Sequence, residues 1–467
     1  MKKIFLSLFA VGMMLTGCDD KLDLTPRKMS VLQSVDDIAA VLNQEWRIYE
    51  NDYYFEVLAG NIYPYWSTPS EIFNRKHSEV YAYTFGDESV DRVGLCEQDY
   101  RYSEIYENIK FCNIVLSQLP DADGDERKKT RVLAQAHVLR AWFHFLAVNM
   151  FAAQYDEATA ATTGGVAFVD NTNNSEVKTK LTVAEVYDRI LEDCSDEYLE
   201  QLSKNSTNDT FDFEADFGYA VRAHVLFQMK RYDEAAAYAK KAIAVNPVID
   251  DRSAIVNSGV WELPYDAPNH YMFIMSNYII NFSELGYQTL TPEFVSLFEE
   301  GDYLRYYSDI NEWYDYDEML VGAPGSMYYV GSGSPRINVW GLRSEQVYYI
   351  LAEALIRTGH IDDGLDYVDQ VRRNRIHPSK FTAYKGSVSS EKDAMALLIP
   401  AKRVECVMTI ENYLDCKRRN SEPAYAADVL IDNVEYGFSA IKPGSKLWIF
   451  PFPMNATNFN PTLTQNI

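Results

Sequence analysis

The chain has 467 residues, of which 47% are apolar and 24% charged, with a formal charge of −25. That balance is globular and excludes a disordered chain, and the length allows one large domain or two to three modest ones. The negative charge repels nucleic acid and anionic surfaces and favours neutral ligands, with cationic partners and plain solubility as other uses of it.

The N-terminus has a recognisable design. Lys2 and Lys3 precede an apolar run, Ile4 to Leu15, broken only by Ser7 and Gly12. A run this short is a signal-peptide core and not a membrane span. Its ending, Leu15-Thr16-Gly17-Cys18, looks like a bacterial lipobox, which implies cleavage before Cys18 and a lipid carried by that cysteine. Each buried CH₂ contributes roughly 0.8 kcal/mol, so several acyl chains hold a soluble domain at a membrane. Residues 1–17 therefore read as signal peptide and 18–33 as a lipidated tether, extended because of Pro26 and its charges. No later apolar run reaches the length of a span. Beyond Cys18 five cysteines remain, an odd number with no C-x-x-C pair, which argues against a disulfide framework or a zinc site. Cys112, Cys194 and Cys406 fall in helical patterns and read as buried small hydrophobes.

Ser34-Val35-Asp36-Asp37 caps a first helix running towards Tyr49. Residues 51–95 lose the helical period and carry Tyr53, Tyr54, Phe55, Tyr63, Tyr65, Trp66, Phe73, Tyr81, Tyr83 and Phe85 in what reads as a long aromatic loop. Helical spacing returns over 97–119 and again over 128–151, where Val132, Ala136, Leu139, Phe143, Leu146 and Met150 share a face. Thr182 and Glu185 are spaced as a capping box for a helix reaching about Leu202. Residues 216–247 fit the 34-residue tetratricopeptide pattern, with Ala223, Ala235, Ala242 and Pro247 at its small-residue and proline positions. Residues 342–375 repeat it, Ala352 matching Ala223 and Gly364 matching Ala235.

Between these repeats lies a stretch of another kind. From Trp261 to Trp340 there are 18 aromatics and no lysine. Tyr271-Met-Phe-Ile-Met and Tyr278-Ile-Ile read as strands, Thr291–Glu299 as a short helix with Pro292 in its first turn. Trp313-Tyr314-Asp315-Tyr316 and Tyr328-Tyr329 read as loops, and Trp261 and Trp340 as core. Arg403–Arg419 reads as one helix preceded by Pro400, and the apolar, proline-rich tail 440–467 as extended chain packed on the body.

Six segments, taken in order, resemble the SusD/RagB family of Bacteroidetes surface lipoproteins. They are Cys18-Asp-Asp-Lys-Leu-Asp-Leu-Thr-Pro26, Ile105-Tyr-Glu-Asn-Ile-Lys-Phe-Cys-Asn113, and Ala134-Gln-Ala-His-Val-Leu-Arg-Ala-Trp-Phe-His-Phe145. The others are Arg343-Ser-Glu-Gln-Val-Tyr-Tyr-Ile-Leu-Ala-Glu-Ala354, Arg403-Val-Glu-Cys406 with Leu414-Asp-Cys-Lys-Arg418, and Leu447-Trp-Ile-Phe-Pro451 with Asn460-Pro-Thr-Leu463. The resemblance implies a mainly α fold: a tetratricopeptide-like helical-hairpin scaffold (about 34–50, 97–247 and 342–420) with a loop-rich, partly β ligand region (about 51–95 and 248–341). It implies an outer-membrane, surface-exposed lipoprotein acting with a SusC-like TonB-dependent transporter. The usual ligand is oligosaccharide, with peptide in the RagB branch. Asp19 and Asp20 are similar to the family's surface-export pattern.

These are scaffold motifs and bring no ligand residue with them. A pyranose has one apolar face and a rim of hydroxyls, which suits flat rings beside polar side chains. The candidates are Tyr63, Tyr65 and Trp66 in the first aromatic stretch and Trp313, Tyr314 and Tyr316 in the second. The competing reading is that these rings pack the loops onto the scaffold. Nothing points to catalysis: there is no H-E-x-x-H, phosphate loop or G-x-S-x-G, and pairs such as Glu299-Glu300 arise by chance among 68 acids. No cofactor is expected, although Asp315 and Asp317 leave a calcium site open.

Overall fold

The computed structural model describes residues 33–49, 53–63, 72–173, 175–205, 212–254, 267–276, 289–306, 313–315, 325, 327–329, 338–432 and 438–467. The signal peptide, Cys18 and the tether lie outside them.

Ser34 opens helix α1 (Val35–Leu42) with a capping box. Its hydroxyl accepts from Asp37 N at 3.1 Å and the Asp37 carboxylate accepts from Ser34 N at 3.1 Å. The helix stops at Leu42, short of Tyr49, because the chain turns into strand β1 (Trp46–Ile48). The described residues between 53 and 95 include three short helices, Tyr54–Leu58, Glu79–Phe85 and Arg92–Leu95, where the sequence reads as a loop. Tyr53, Phe55 and Tyr83 are buried there, so several rings that break the helical period are core fillers.

Two long helices follow. Asp99 caps α2 (Tyr100–Gln118) and Asp125 caps α3 (Glu126–Phe151). The C-terminal half of α3 is buried all round and forms the axis of the molecule. Strands β2 (Gly164–Ala167) and β3 (Lys180–Thr182) pair antiparallel. The Thr182–Glu185 capping box then starts α4 (Val183–Asp193), which ends before Leu202; Asp196–Leu199 forms a separate turn of helix. Helices α5 (Ala215–Gln228) and α6 (Tyr232–Val245) make one hairpin.

Strands β4 (His270–Met272) and β5 (Ile274–Ser276) lie where the sequence places them; β5 runs parallel to β1. The helix predicted over Thr291–Glu299 is Pro292–Val295, with Pro292 in its first turn. The second aromatic stretch contributes β6 (Thr289–Leu290), β7 (Trp313–Asp315) and β8 (Met327–Tyr329). Residues 313–315 and 327–329 are thus strands and not loops. Each completes the other's backbone hydrogen bonds, which outweighs the loop-like composition around them.

After β9 (Leu342–Arg343), α7 (Ser344–Arg357) and α8 (Ile361–Arg372) form a second hairpin, and α6 packs on α7. The small residues sit at the crossings as the repeat alignment requires. Ala223, Ala235, Ala239 and Ala242 are fully buried, and a Cβ on Gly364 would lie 2.6 Å from Ala352 O. Helix α9 (Glu391–Glu405) runs through Pro400, forfeiting one hydrogen bond. The single helix expected over 403–419 is broken: Met408 takes φ +62°, and α10 (Glu411–Asn420) sets off in a new direction. A hairpin of β10 (Val429–Asp432) and β11 (Phe438–Ile441) precedes the tail.

The tail is stitched to the body. Lys180 Nζ donates to Thr464 O at 2.7 Å, and Asn466 Nδ2 donates to Phe151 O and Gly165 O at 2.7 and 2.9 Å. Lys417 Nζ donates to Asn149 O and Ala152 O at 2.5 and 2.6 Å, so the carbonyl end of α3 is satisfied from far down the chain. Cys96, Cys112, Cys194 and Cys406 are buried free thiols.

The break after α9 allows charge to be buried. Glu405 accepts from Arg375 Nε at 2.6 Å and Arg252 Nη2 at 3.1 Å, with Arg343 Nη1 at 3.4 Å; Arg375 also reaches Glu345 at 3.0 Å. A second cluster joins Lys402 to Glu411 and Asp415 at 2.8 and 2.9 Å, and Arg418 to Glu353 through two bonds of 2.8 and 2.9 Å. Burial alone would raise Glu405, but Arg252, Arg375 and Arg343 hold it at about 2. Its contribution to stability is therefore present above the ordinary carboxylate range and lost as pH falls through about 2. Glu405→Gln leaves three guanidinium groups short of their counter-charge and is expected to cost about 3–5 kcal/mol. Urea unfolding at pH 7 reads that loss, and the variant's stability changes less between pH 4.5 and pH 2 than the parent's.

Candidate functional site

The two aromatic stretches meet on one sheet. Its order is β6-β8-β7, all antiparallel, with Trp313 opposite Tyr329, Tyr314 opposite Tyr328, and Leu290 opposite Met327. Leu290 also bridges Ile62, so four backbones lie side by side over roughly 14 Å. The junction is well bonded. Thr291 N donates to Asn61 O at 2.9 Å, and Thr291 Oγ1 donates to Gly60 O, 231 positions away in sequence, at 2.8 Å.

The predicted ligand residues are distributed as follows. Tyr63 follows the bridging Ile62 and is only 2% exposed, so its ring packs in the core. The backbones of Trp313 and Tyr314 form β7. Tyr65, Trp66 and Tyr316 lie outside the described residues, as do Trp261, the strand expected at Tyr278-Ile-Ile, and Asp317. Trp340 is core, donating Nε1 to Ile48 O at 3.0 Å. Among the described residues no group of three or more His, Cys, Asp or Glu side chains is placed to hold a metal ion.

One cluster was not singled out from sequence. Phe73, Tyr81 and Phe85 pack with centroid separations of 6.4, 5.7 and 4.7 Å and remain half-buried, with Lys76 Nζ 4.7 Å from the Phe73 centroid. Ser78 caps the helix that carries two of them by accepting from Tyr81 N. The cap followed by rings at i and i+4 is the signal that could have found the cluster.

Beneath the sheet sits a polar junction. Glu56 is fully buried and accepts from Asn61 Nδ2 at 2.6 Å. Asn61 Oδ1 in turn accepts from Arg403 Nε at 2.6 Å. Burial pushes the Glu56 carboxyl up to about 8, with Asn61 and Arg403 pulling the other way. It is therefore a neutral acid at pH 7.

The groups a catalytic reading would have used serve structure. His137 Nδ1 lies 2.7 Å from Asp193 Oδ1 and its ring stacks on Tyr198 at 3.9 Å. His144 stacks on Phe168 at 3.8 Å while Nε2 accepts from Val169 N at 3.0 Å. Glu299 pairs with Arg372 and Glu300 with Lys380. The two aromatic segments thus lie together on the helical stack, joined through Ile62 and Leu290.

A helical-hairpin scaffold carrying such a sheet-and-loop face is the SusD-like fold. Solved structures share it over nearly the whole chain. A SusD superfamily protein from Bacteroides thetaiotaomicron is 16% identical with a TM-score of 0.71, covering 93% of this chain and 100% of its own. A SusD-like carbohydrate binding protein from Bacteroides vulgatus is 15% identical with a TM-score of 0.68, covering 93% and 98%. Surface glycan-binding protein A from Bacteroides uniformis is 15% identical with a TM-score of 0.67, covering 92% and 98%. Residues 22–225 match a SusD-like family described as "Starch-binding associating with outer membrane". No curated protein matches the sequence. Residues 22–225 thus resemble that family in sequence, and the SusD-like fold extends over nearly the whole chain.

The raised Glu56 has a measurable consequence. Stability linked to it is fully present below the ordinary carboxylate range and is lost as pH rises through about 8. Glu56→Gln keeps the uncharged form, so urea midpoints of this variant are expected to change less between pH 5 and pH 9 than those of the parent.

Proposed function

We propose that this protein is a non-catalytic, cell-surface lipoprotein that captures an oligosaccharide and delivers it to a SusC-like TonB-dependent outer-membrane transporter. The observation that carries the reading is the convergence of both aromatic stretches on one sheet, through Ile62, β6, β8 and β7. The rings to test are Tyr65, Trp66, Trp313, Tyr314 and Tyr316, joined by Tyr81 from the half-buried cluster. The family's description as starch-binding and outer-membrane-associated supports both ligand class and location. No helix among the described residues is long and apolar enough to cross a membrane, and the proposed attachment is the lipid on Cys18.

A second reading is a peptide-binding lid of the RagB type, which the charge of −25 favours for basic peptides. A third is a subunit that gates the transporter with little ligand affinity of its own.

Calorimetric screening of residues 19–467 against a glycan panel and a peptide pool separates these. The first reading expects saturable binding to a glycan. Trp66→Ala, Trp313→Ala or Tyr81→Ala should each weaken it about tenfold, since a stacked ring is worth about 1–1.5 kcal/mol. Binding confined to peptides supports the second; no binding, with co-purification of the transporter, supports the third. In the full chain, Cys18→Ser is expected to move the protein from the membrane fraction to the soluble one.

A further inference from the structure

Two segments around the aromatic face converge on one side chain of the scaffold, and a third packs against the turn of the first. Arg403, near the end of α9, donates Nε to Asn61 Oδ1 at 2.6 Å, Nη2 to Ala59 O at 2.9 Å and Nη1 to Glu293 Oε1 at 2.9 Å. Its guanidinium also lies 5.8 Å from the Phe294 ring centroid. Ala59 and Asn61 lie in the first aromatic stretch just before Tyr63, while Glu293 and Phe294 follow β6 in the second. We propose that Arg403 is a positioning residue for the ligand face, holding both aromatic stretches in register with each other and with the helical stack. This rests on the glycan-binding reading only for its consequence in affinity, not for the geometry.

The three bonds are unequal. Glu293 is 51% exposed, so that ion pair contributes little. The bonds to Asn61 and Ala59 O are part-buried and fix the turn itself. They radiate in three directions from one planar fork, which a lysine, a point charge on a flexible stem, does not reproduce.

The third segment is the β10–β11 hairpin. Gly60 has φ +72°, and a Cβ there would lie 2.7 Å from Val429 Cγ1 and 3.3 Å from Arg403 Nη2. At the other strand, a Cβ on Gly86 would lie 2.6 Å from Ala440 O, and Ser439 Oγ donates to Thr84 O at 2.6 Å. The hairpin is therefore wedged between the Arg403 junction and the helix that carries Tyr81 and Phe85. Loosening Arg403 frees the edge against which that helix rests.

Hydrogen exchange and calorimetry on residues 19–467 test this, with maltoheptaose as probe because the matching family is described as starch-binding. In Arg403→Met the amides of Asn61 and Thr291 are expected to exchange at least tenfold faster, while those of α7 keep their protection. Maltoheptaose affinity should fall at least tenfold with a melting temperature only a few degrees lower. Arg403→Lys should not restore protection, and Gly60→Ala should loosen the same amides from the hairpin side. Unchanged exchange at Asn61 and Thr291 overturns the proposal, as does acceleration spread equally through α7. Should the parent not bind maltoheptaose, that probe fails the glycan reading, and the exchange pattern alone decides the role of Arg403.

Discussion

Buried charge organises this fold. Glu405 draws Arg252, Arg343 and Arg375 into the interior from three separate places in the chain, and Arg375 carries the link on to Glu345. Each of these ions would be costly to bury alone; each is tolerated because its partners arrive with it. The consequence is geometric. The N-terminus of α7, the C-terminus of α9 and the exit of α8 are fixed to a common point, and the second hairpin cannot slide on α9 without breaking several ionic contacts. The kink at Met408 is the backbone's concession to this arrangement, letting Glu405 face one cluster and Glu411 the other.

On that rigid stack the aromatic face is an addition of a different character. Its strands are two or three residues long and owe their order to their neighbours more than to their own sequence. Residues 289–306 are held to the body at Thr291, bonded to Gly60 O and Asn61 O, and at Glu299, paired with the scaffold's Arg372. A surface built this way can vary in sequence between its anchor points while the helices beneath it stay the same. This fits the 14–17% identity with solved structures whose fold is nonetheless shared over nearly their full length.

The scaffold was legible in the sequence because its causes are local. The capping boxes at Ser34 and Thr182, the apolar period of α3 and the alanines of α5 and α6 each act within one or two turns. The errors fall where a distant partner decides. Nothing near Leu42 says that the chain will pair with Ile274–Ser276, and nothing near Cys406 says that Ile410 N will donate to Val339 O. Trp313–Asp315 reads as loop until Met327–Tyr329 is set beside it. The convergence of the two aromatic stretches was beyond sequence for the same reason, since it depends on the bridge from Ile62 to Leu290 and the bonds from Thr291 to Gly60 and Asn61. Tyr63 shows the converse: an aromatic among turn residues is not thereby exposed.

The carbonyl end of α3 bears on how the molecule can be divided. The family match ends at residue 225, which invites treatment of the N-terminal half as a module. Yet Asn149 O and Ala152 O are satisfied by Lys417, and Phe151 O by Asn466, 315 positions further on. Cutting the chain after α5 would strip the buried end of its central helix of these donors. The region of sequence similarity is therefore not self-sufficient in hydrogen bonding, and the long loops closed by these contacts carry an entropic cost that local helix pairing does not.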